Sequence, residues 1–462
     1  MKAKLCSYTT FLFVFPAVAL FCSCKKFVQV DPPPTQIEST QIFSDEQSAI
    51  AAVNGLYSML AVGNLNILNG GVTLYTAAAS DEIYPTASNA DVNPFYINSV
   101  PANHSNLYNR LWKPAYNNNG IYTANSILEG LNGSSSIADS LKRQLTGEIK
   151  VIRALEYFYL VNLFGDVPLV TTTNFETNSV LARNASGKIY QFLINELNEA
   201  SLLLSTSYST PNRARINKWT AKALLARVYL YGSDWSHAEA SSTEVINSGS
   251  YSLNPNLAGV FSSITSPETI WQLARDNNNT AEGATFLPSS ATVKPPYALT
   301  NSLLNAFEPG DLRKTNWITK NKVSGIDYYY PYKYRSRTAT QPQEYYVLFR
   351  LAEQYLIRAE ARANKGDSTA ALSDINTIRT RAGLSNITAG TQNGLFAAIL
   401  KERQTELFCE TGHRWFDLKR TGNSDAVLSA IKGTTWQSTD NLLPIPQSEI
   451  DKNPNLKQNP GY

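Results

Sequence analysis

Two pairs of alanines, each twelve residues apart across a tight turn, constrain this chain more than any other feature. The first pair is Ala226 and Ala238 in WTAKALLARVYLYGSDWSHAEASSTEVI, separated by Gly232-Ser233-Asp234. The second is Ala359 and Ala371 in a stretch where Leu348, Leu351, Ala352, Tyr355, Ala359 and Ala363 recur at three- and four-residue steps. On a helix such a recurrence forms one face. Gly366 can end that helix in a left-handed conformation, and Asp367 or Ser368 can cap the next, whose buried edge is Ala371, Ile375, Ile378 and Ala382. Helices joined so tightly pack antiparallel, and small residues let them approach closely. The repeated alanine pair predicts tetratricopeptide-like helical hairpins.

With 462 residues, 43% hydrophobic and 17% charged, the chain can bury a large core. Its net charge of +3, about +1 without Lys2 and Lys4, argues against a nucleic-acid surface. Lys2 and Lys4 precede an apolar run from about Phe11 to Phe21, of signal-peptide length and too short to span a bilayer comfortably. Ser23 before Cys24 is the small residue a lipoprotein signal peptidase needs, although Phe21 and Cys22 depart from the usual lipobox. Residues 1–23 therefore read as a lipoprotein signal segment, with Cys24 the lipidated first residue. Residues 24–43, with Asp31-Pro32-Pro33-Pro34, read as an extended tether. Residues 44–462 read as one domain. Of four cysteines only Cys409 falls inside it, so packing rather than a disulfide holds it together; Cys409 reads as a buried apolar residue on a helix.

Further helices are expected over about 45–60, with Ser44 as cap, over about 140–164, ended by Gly165-Asp166-Val167-Pro168, and over about 185–204. Two stretches have few helical periods, about 63–109 and 251–344. They predict a loop-rich layer with short strands on the helical core, one strand running from Glu268 to Ala274 and leading to Arg275. Both stretches mix aromatics with amides and acids, and the second includes the cluster Tyr328-Tyr329-Tyr330. A pyranose ring offers a C–H face to a flat side chain, while its hydroxyls need directional partners. Asp81, Tyr84, Tyr96, Arg275, Tyr297 and Trp317 are the candidate ligand contacts.

The segments EIKVIRALEYFYLVNLFGDVPLV (Glu148 to Val170), the hairpins from Trp219 and from Phe349, ERQTELFCETGHRWFDLKRTG (Glu402 to Gly422) and LLPIPQSEIDKNPNLKQNPGY (Leu442 to Tyr462) resemble, in order, the SusD/RagB family of outer-membrane nutrient-uptake lipoproteins of Bacteroidetes. The resemblance covers about a third of the chain. It implies a mainly α, SusD-like fold with a tetratricopeptide-like core, and extracellular glycan binding through loops outside the repeats. It also implies a surface-exposed outer-membrane location and delivery of cargo to a SusC-like TonB-dependent transporter.

His413, Asp417 and Glu410 lack a recognised metal-ligand spacing, and the chain has just three histidines. Glu402, Glu406, Glu410, Arg414 and Asp417 read instead as a structural ion-pair and capping network. No catalytic residues, metal or cofactor are expected, and no P-loop, dinucleotide fingerprint or nucleophile elbow occurs. Three alternatives remain open: peptide cargo in the same uptake system, an α-helical glycoside hydrolase using paired carboxylates, and a repeat scaffold that binds only protein.

Overall fold

The computed structural model describes residues 42–62, 65–117, 120–275, 279–338, 344–388 and 390–462. The expected signal segment, the expected lipidation site Cys24 and the expected tether up to residue 41 lie outside the described residues. Phe43 already belongs to the core: it is buried, and its ring fills the space beside Gly130, where a Cβ would clash.

The helices that build the core and carry the site are α1 (Glu46–Ala61), α2 (Val72–Ala79), α3 (Ile121–Gly133), α4 (Asp139–Phe164), α5 (Ser186–Leu203), α6 (Lys218–Tyr231), α7 (Trp235–Ile246), α8 (Leu351–Asn364), α9 (Ser368–Arg381), α10 (Gln392–Glu406), α11 (His413–Arg420) and α12 (Ser424–Lys432). They stack as a continuous series, α4 on α5, α5 on α6, α6 on α7, α7 on α8, and α8 on α9 and α10. All four alanines of the two pairs are fully buried, as close helix approach requires. Helices α7 and α8 are neighbours in space although more than a hundred residues separate them in the chain. The irregular segment between them leaves the core after α7 and returns to begin the next hairpin. Arg362 of α8 bridges to Glu239 of α7, and Arg227 of α6 bridges to Glu353 of α8, the latter pair wholly buried.

The two turns solve the same problem with different residues. Between α8 and α9, Gly366 takes the left-handed backbone (φ 86°), and the Asp367 carboxylate accepts from the Ala370 N–H at 3.0 Å. Between α6 and α7 the left-handed residue is Ser233 (φ 57°), and Asp234 accepts from the His237 N–H. A side chain in that region crowds its own backbone.

Several local expectations shift. Leu348 lies not on α8 but on a strand, Tyr346–Arg350, because Tyr346, Val347 and Phe349 are β-formers with every residue buried. Asp45, not Ser44, caps α1, accepting from the Ser48 N–H at 2.9 Å. Cys409 sits on a turn with φ 48°, not on a helix, and is buried. The stretch 63–109 is less irregular than its polar composition implies, since it contains α2, whose eight residues are all buried. Val72, Leu74, Tyr75 and Ala77 to Ala79 make that helix apolar on all sides, as an interior helix is.

Among the described residues three two-stranded antiparallel sheets organise the loop-rich layer: β1 (Ile83–Pro85) pairs with β3 (Tyr297–Leu299), β2 (Thr269–Leu273) with β6 (Tyr346–Arg350), and β4 (Ile318–Val323) with β5 (Ile326–Pro331). The β4–β5 turn uses Ser324 and Gly325, both left-handed, as a two-residue hairpin requires. Strand β2 lies where the sequence places it, just before Arg275.

The layer is fastened to the helices by a buried ion network. Arg350, at the end of β6, bridges to Glu268, Glu406 and Glu410. Arg381 of α9 bridges to Glu268 and Glu406, and Arg313 to Asp311, Glu402 and Glu406. Burial would push the Glu406 carboxyl up, but the charges of Arg381, Arg350 and Arg313 overcome it and hold the group well below the usual range. Its contribution to stability is therefore present above the unfolded value of 4.5 and lost as pH falls. Glu82 and Glu282 behave oppositely. Burial pushes each up to about 8, so the folded protein keeps them neutral where the unfolded chain ionises them. Stability then falls as pH rises from 4.5 toward 8.

Two outcomes are expected. Ser233→Gly relieves the left-handed strain and raises stability by about 1 kcal/mol, measured by urea denaturation. Glu282→Gln flattens the decline in stability between pH 5 and 8 by about 1 kcal/mol or more, measured as the urea midpoint across that range; an unchanged slope would count against a neutral Glu282.

Candidate functional site

The two irregular stretches meet through the β1–β3 pairing, which sets Ile83 opposite Leu299, Tyr84 opposite Ala298 and Pro85 opposite Tyr297. The pairing extends past the strands, since the Thr86 N–H donates to the Pro296 carbonyl at 3.0 Å. Alternation along β1 sends Ile83 into the core and leaves Tyr84 half-buried at the surface. Tyr84 has two tyrosine neighbours, Tyr328 from β5 and Tyr96 from the short helix Asn93–Tyr96, and burial raises its phenol above the ordinary value. Each neighbour is covered on one side by a lysine. Lys294 lies 5.2 Å over the Tyr328 ring, and Lys432, from the end of α12, lies 4.1 Å over the Tyr96 ring.

The support beneath these rings is rigid. Lys432 also donates to the Ala78 and Tyr96 carbonyls at 2.9 and 2.7 Å, tying the Tyr96 turn to α2. Burial pushes its ammonium down to about 7, with Asp81 opposing. Asn321 of β4 donates to the Ser290 and Val293 carbonyls, fixing the loop that carries Lys294 against the hairpin that carries Tyr328. Under Tyr96, Phe95 packs against Tyr75 with ring centres 4.5 Å apart. The result is a row of three half-buried phenol rings held by strand and helix backbones, with exposed Asp91 and half-buried Asn89 at its edge. Such a surface can stack on sugar C–H faces and exchange hydrogen bonds with their hydroxyls.

The six candidate contacts do not share one place. Tyr84 and Tyr96 lie in the row. Tyr297 is buried beneath it, accepting from the Asn89 side-chain amide at 3.2 Å and packing on Phe286. Asp81 is an interior group with no exposed surface: its carboxylate takes a paired contact from Arg414 at 2.7 and 2.8 Å and a hydrogen bond from Ser302 at 2.9 Å. Burial would raise it, but the Arg414 hydrogen bonds and charge hold it below the usual carboxylate value. Trp317 is likewise enclosed. Its indole N–H donates to the Leu257 carbonyl at 2.8 Å, and Lys333, Arg350 and Arg381 lie over the ring at 4.9, 5.8 and 5.6 Å. Asp81 and Trp317 thus serve the interior, where a buried charge needs its partner and a large aromatic face suits the crowded cations. Arg275 lies elsewhere, on a cleft of about 420 Å³ that it shares with Tyr57, Arg215 and Tyr345.

Sequence reasoning did not select Tyr328, Lys294 or Lys432. Tyr328 carried a signal, the Ser-Gly hairpin turn before a tyrosine run. Lys432 carried none, since it reaches the row from over three hundred residues along the chain.

The acid-rich segment after α10 is fully engaged. Asp417 pairs with Arg403 and Arg420, and Glu410 with Lys333 and Arg350. Burial holds the His413 imidazole well below its ordinary value, and burial raises the Cys409 thiol. Among the described residues no group of three or more His, Cys, Asp or Glu side chains could hold a metal ion, and no helix is long and apolar enough to cross a membrane.

A family profile described as the SusD family matches residues 312–462, and one described as starch-binding associating with outer membrane matches residues 27–230. A SusD-like protein of Formosa agariphila is 27% identical over 98% of each chain. The starch-binding protein SusD of Bacteroides thetaiotaomicron is 26% identical over 72% of this chain and 75% of that protein. Among solved structures, a laminarin-binding SusD-like protein superposes with a TM-score of 0.77 at 25% identity, covering 90% of this chain and all of that one.

The differing placements predict differing responses. Asp81→Ala strands Arg414 in the interior and lowers stability by about 3 kcal/mol, whereas Tyr84→Ala changes it by no more than about 1 kcal/mol. Denaturant unfolding of both variants checks this, and equal losses would place Tyr84 in the core instead of the surface row.

Proposed function

We propose, for a chain that belongs to the SusD/RagB family of starch- and glycan-binding proteins, that it captures an extracellular oligosaccharide or polysaccharide on the row formed by Tyr84, Tyr96 and Tyr328. The observation that carries this reading is the convergence of both irregular stretches on one rigid, tyrosine-bearing surface through the β1–β3 ladder. Phenol faces supply stacking area, and Asn89, Asp91 and Lys294 at the edge supply directional partners for hydroxyls. The starch-binding and laminarin-binding relatives support glycan as the cargo class.

Binding here is without turnover, and the bound glycan passes to a SusC-like TonB-dependent transporter in the outer membrane. The paired state of the acid-rich segment supports binding over catalysis, since each carboxylate there is engaged by arginine or lysine. Lipidation at Cys24 and the proline-rich tether would keep the domain at high effective concentration over such a transporter even with modest ligand affinity.

Affinity electrophoresis through gels containing plant, microbial and host polysaccharides tests the reading. Retardation by at least one polymer is expected, weakened about tenfold or more in Tyr84→Ala and in Tyr328→Ala, in line with the loss of a stacking face. Retardation that survives both substitutions would remove the tyrosine row from the site. Release of new reducing ends from the retained polymer would overturn the non-catalytic reading, and native purification without a barrel partner would count against delivery.

A further inference from the structure

The cleft that holds Arg275 is built by four stretches far apart in sequence: the last turns of α1, the loop 210–215, the end of β2 with Arg275, and Tyr345 just before β6. At about 420 Å³ it falls within the usual range for small-ligand sites. None of its lining residues belongs to the tyrosine row, and no carboxylate is among them.

Its polar groups are fixed in advance. Arg215 is 8% exposed, donates through Nε to Glu148 at 2.6 Å and through Nη1 to Asn54 at 2.5 Å, and lies 4.7 Å over the Tyr57 ring. Its charge is thus met from behind by Glu148, while Asn54 and Tyr57 hold the guanidinium plane in place at the cleft wall. Glu148 has no exposed surface and is also bonded by the Tyr57 hydroxyl at 2.7 Å, so it stands behind the wall. The loop is equally constrained. Asn212 and Arg213 are both left-handed (φ 63° and 54°), Arg213 donates to the Ser266, Pro267 and Thr269 carbonyls, and Gln272 donates to the Asn212 carbonyl. Thr210, also on the cleft wall, has a buried hydroxyl with no partner. On the facing wall Arg275 donates to the Asn279 carbonyl at 3.3 Å, and no described carboxylate pairs with it.

Two guanidiniums, Arg215 paired from behind with Glu148 and Arg275 without a described carboxylate partner, thus line a concavity that has no carboxylate of its own. Planar N–H forks of this kind match oxyanions, and held arginines lose little freedom on binding. Exposed Pro211 and Val62 give the rim an apolar side against which a sugar ring can rest. We propose that this cleft is a second subsite that takes the acidic group of an acidic oligosaccharide, a uronate carboxylate or a sulfate ester, between Arg215 and Arg275. The oligosaccharide part rests on the glycan reading of the tyrosine row, while the oxyanion part rests on the cleft alone.

The mature protein is tested by affinity electrophoresis in a polyuronate, a sulfated polysaccharide and neutral polymers, with wild type, Arg275→Gln and Arg275→Lys. Crystals soaked in selenate are measured by anomalous scattering. Arg275 is half-buried and outside the Glu148 pair, and an unchanged melting temperature confirms that its variants fold. The expected result is selenate between the two arginines and retention by an acidic polymer that falls about tenfold in Arg275→Gln, partly recovers in Arg275→Lys and weakens with added salt. Retention by neutral polymers stays unchanged. Selenate in the cleft with acidic-polymer affinity unmoved by Arg275→Gln means an adventitious ion only and overturns the proposal, as does a cleft without selenate. In both cases neutral-polymer retention dependent on Tyr84 would survive. No retention by any polymer, acidic or neutral, overturns the glycan reading and this inference with it.

Discussion

The convergence of Arg313, Arg350 and Arg381 on Glu406 is the interaction on which the rest of the structure depends. Glu406 ends α10, Arg381 ends α9, Arg350 ends β6 at the start of α8, and Arg313 belongs to the loop-rich layer. One carboxylate therefore joins the repeat core to the layer laid on it. Other N–H groups of these arginines donate to Glu268, Glu402, Glu410 and Asp311, so every charge in the cluster is paired, while the Arg381 Nε–H is left as a buried donor without a partner. Burying so many ions is costly, and only near-complete pairing makes it sustainable. What the network provides is position. A hydrophobic contact tolerates sliding, whereas a forked guanidinium between two carboxylates fixes distance and angle.

That fixity explains the distribution of aromatic residues. Trp317 is drawn inward because a large π face among Lys333, Arg350 and Arg381 stabilises cations that no water reaches. The Asp81–Arg414 pair repeats the device at smaller scale, pinning the entrance to β1 against α11. Tyr84 follows three residues later on a backbone that has little room to move. The same logic holds at the second concavity, where Glu148 and Tyr57 orient Arg215 from behind. In each case buried charge sets the frame and half-buried side chains meet the solvent.

The helical hairpins were legible because their signals are local. Alanines twelve apart, a left-handed turn residue and an aspartate cap all act within about fifteen residues, and a sequence reports such spacings directly. The same locality misplaced Leu348, since a β-branched and aromatic run just before a helix shares its apolar pattern. It also missed α2, where polar neighbours on both sides masked an eight-residue helix buried on every side. Charge type was readable in the segment from Glu402 to Asp417 as structural pairing, but not the partners. Glu406 and Arg414 reach residues 56 and 333 positions away in sequence.

For the site the division is sharper. Composition and aromatic spacing marked the two irregular stretches and supplied Tyr84 and Tyr96, but the same criteria supplied Trp317 and Asp81, which the fold encloses. The sequence by itself determined the repeat architecture, the resemblance to the SusD/RagB family and the stretches from which a binding surface is drawn, because propensity, periodicity and turn chemistry are properties of neighbours. Only the tertiary structure decided which aromatics reach solvent, that Lys294 and Lys432 flank them, and that Arg275 stands across a separate cleft from Arg215. Exposure and convergence depend on pairings such as β1 with β3, which join residues more than two hundred positions apart, and no local pattern encodes them.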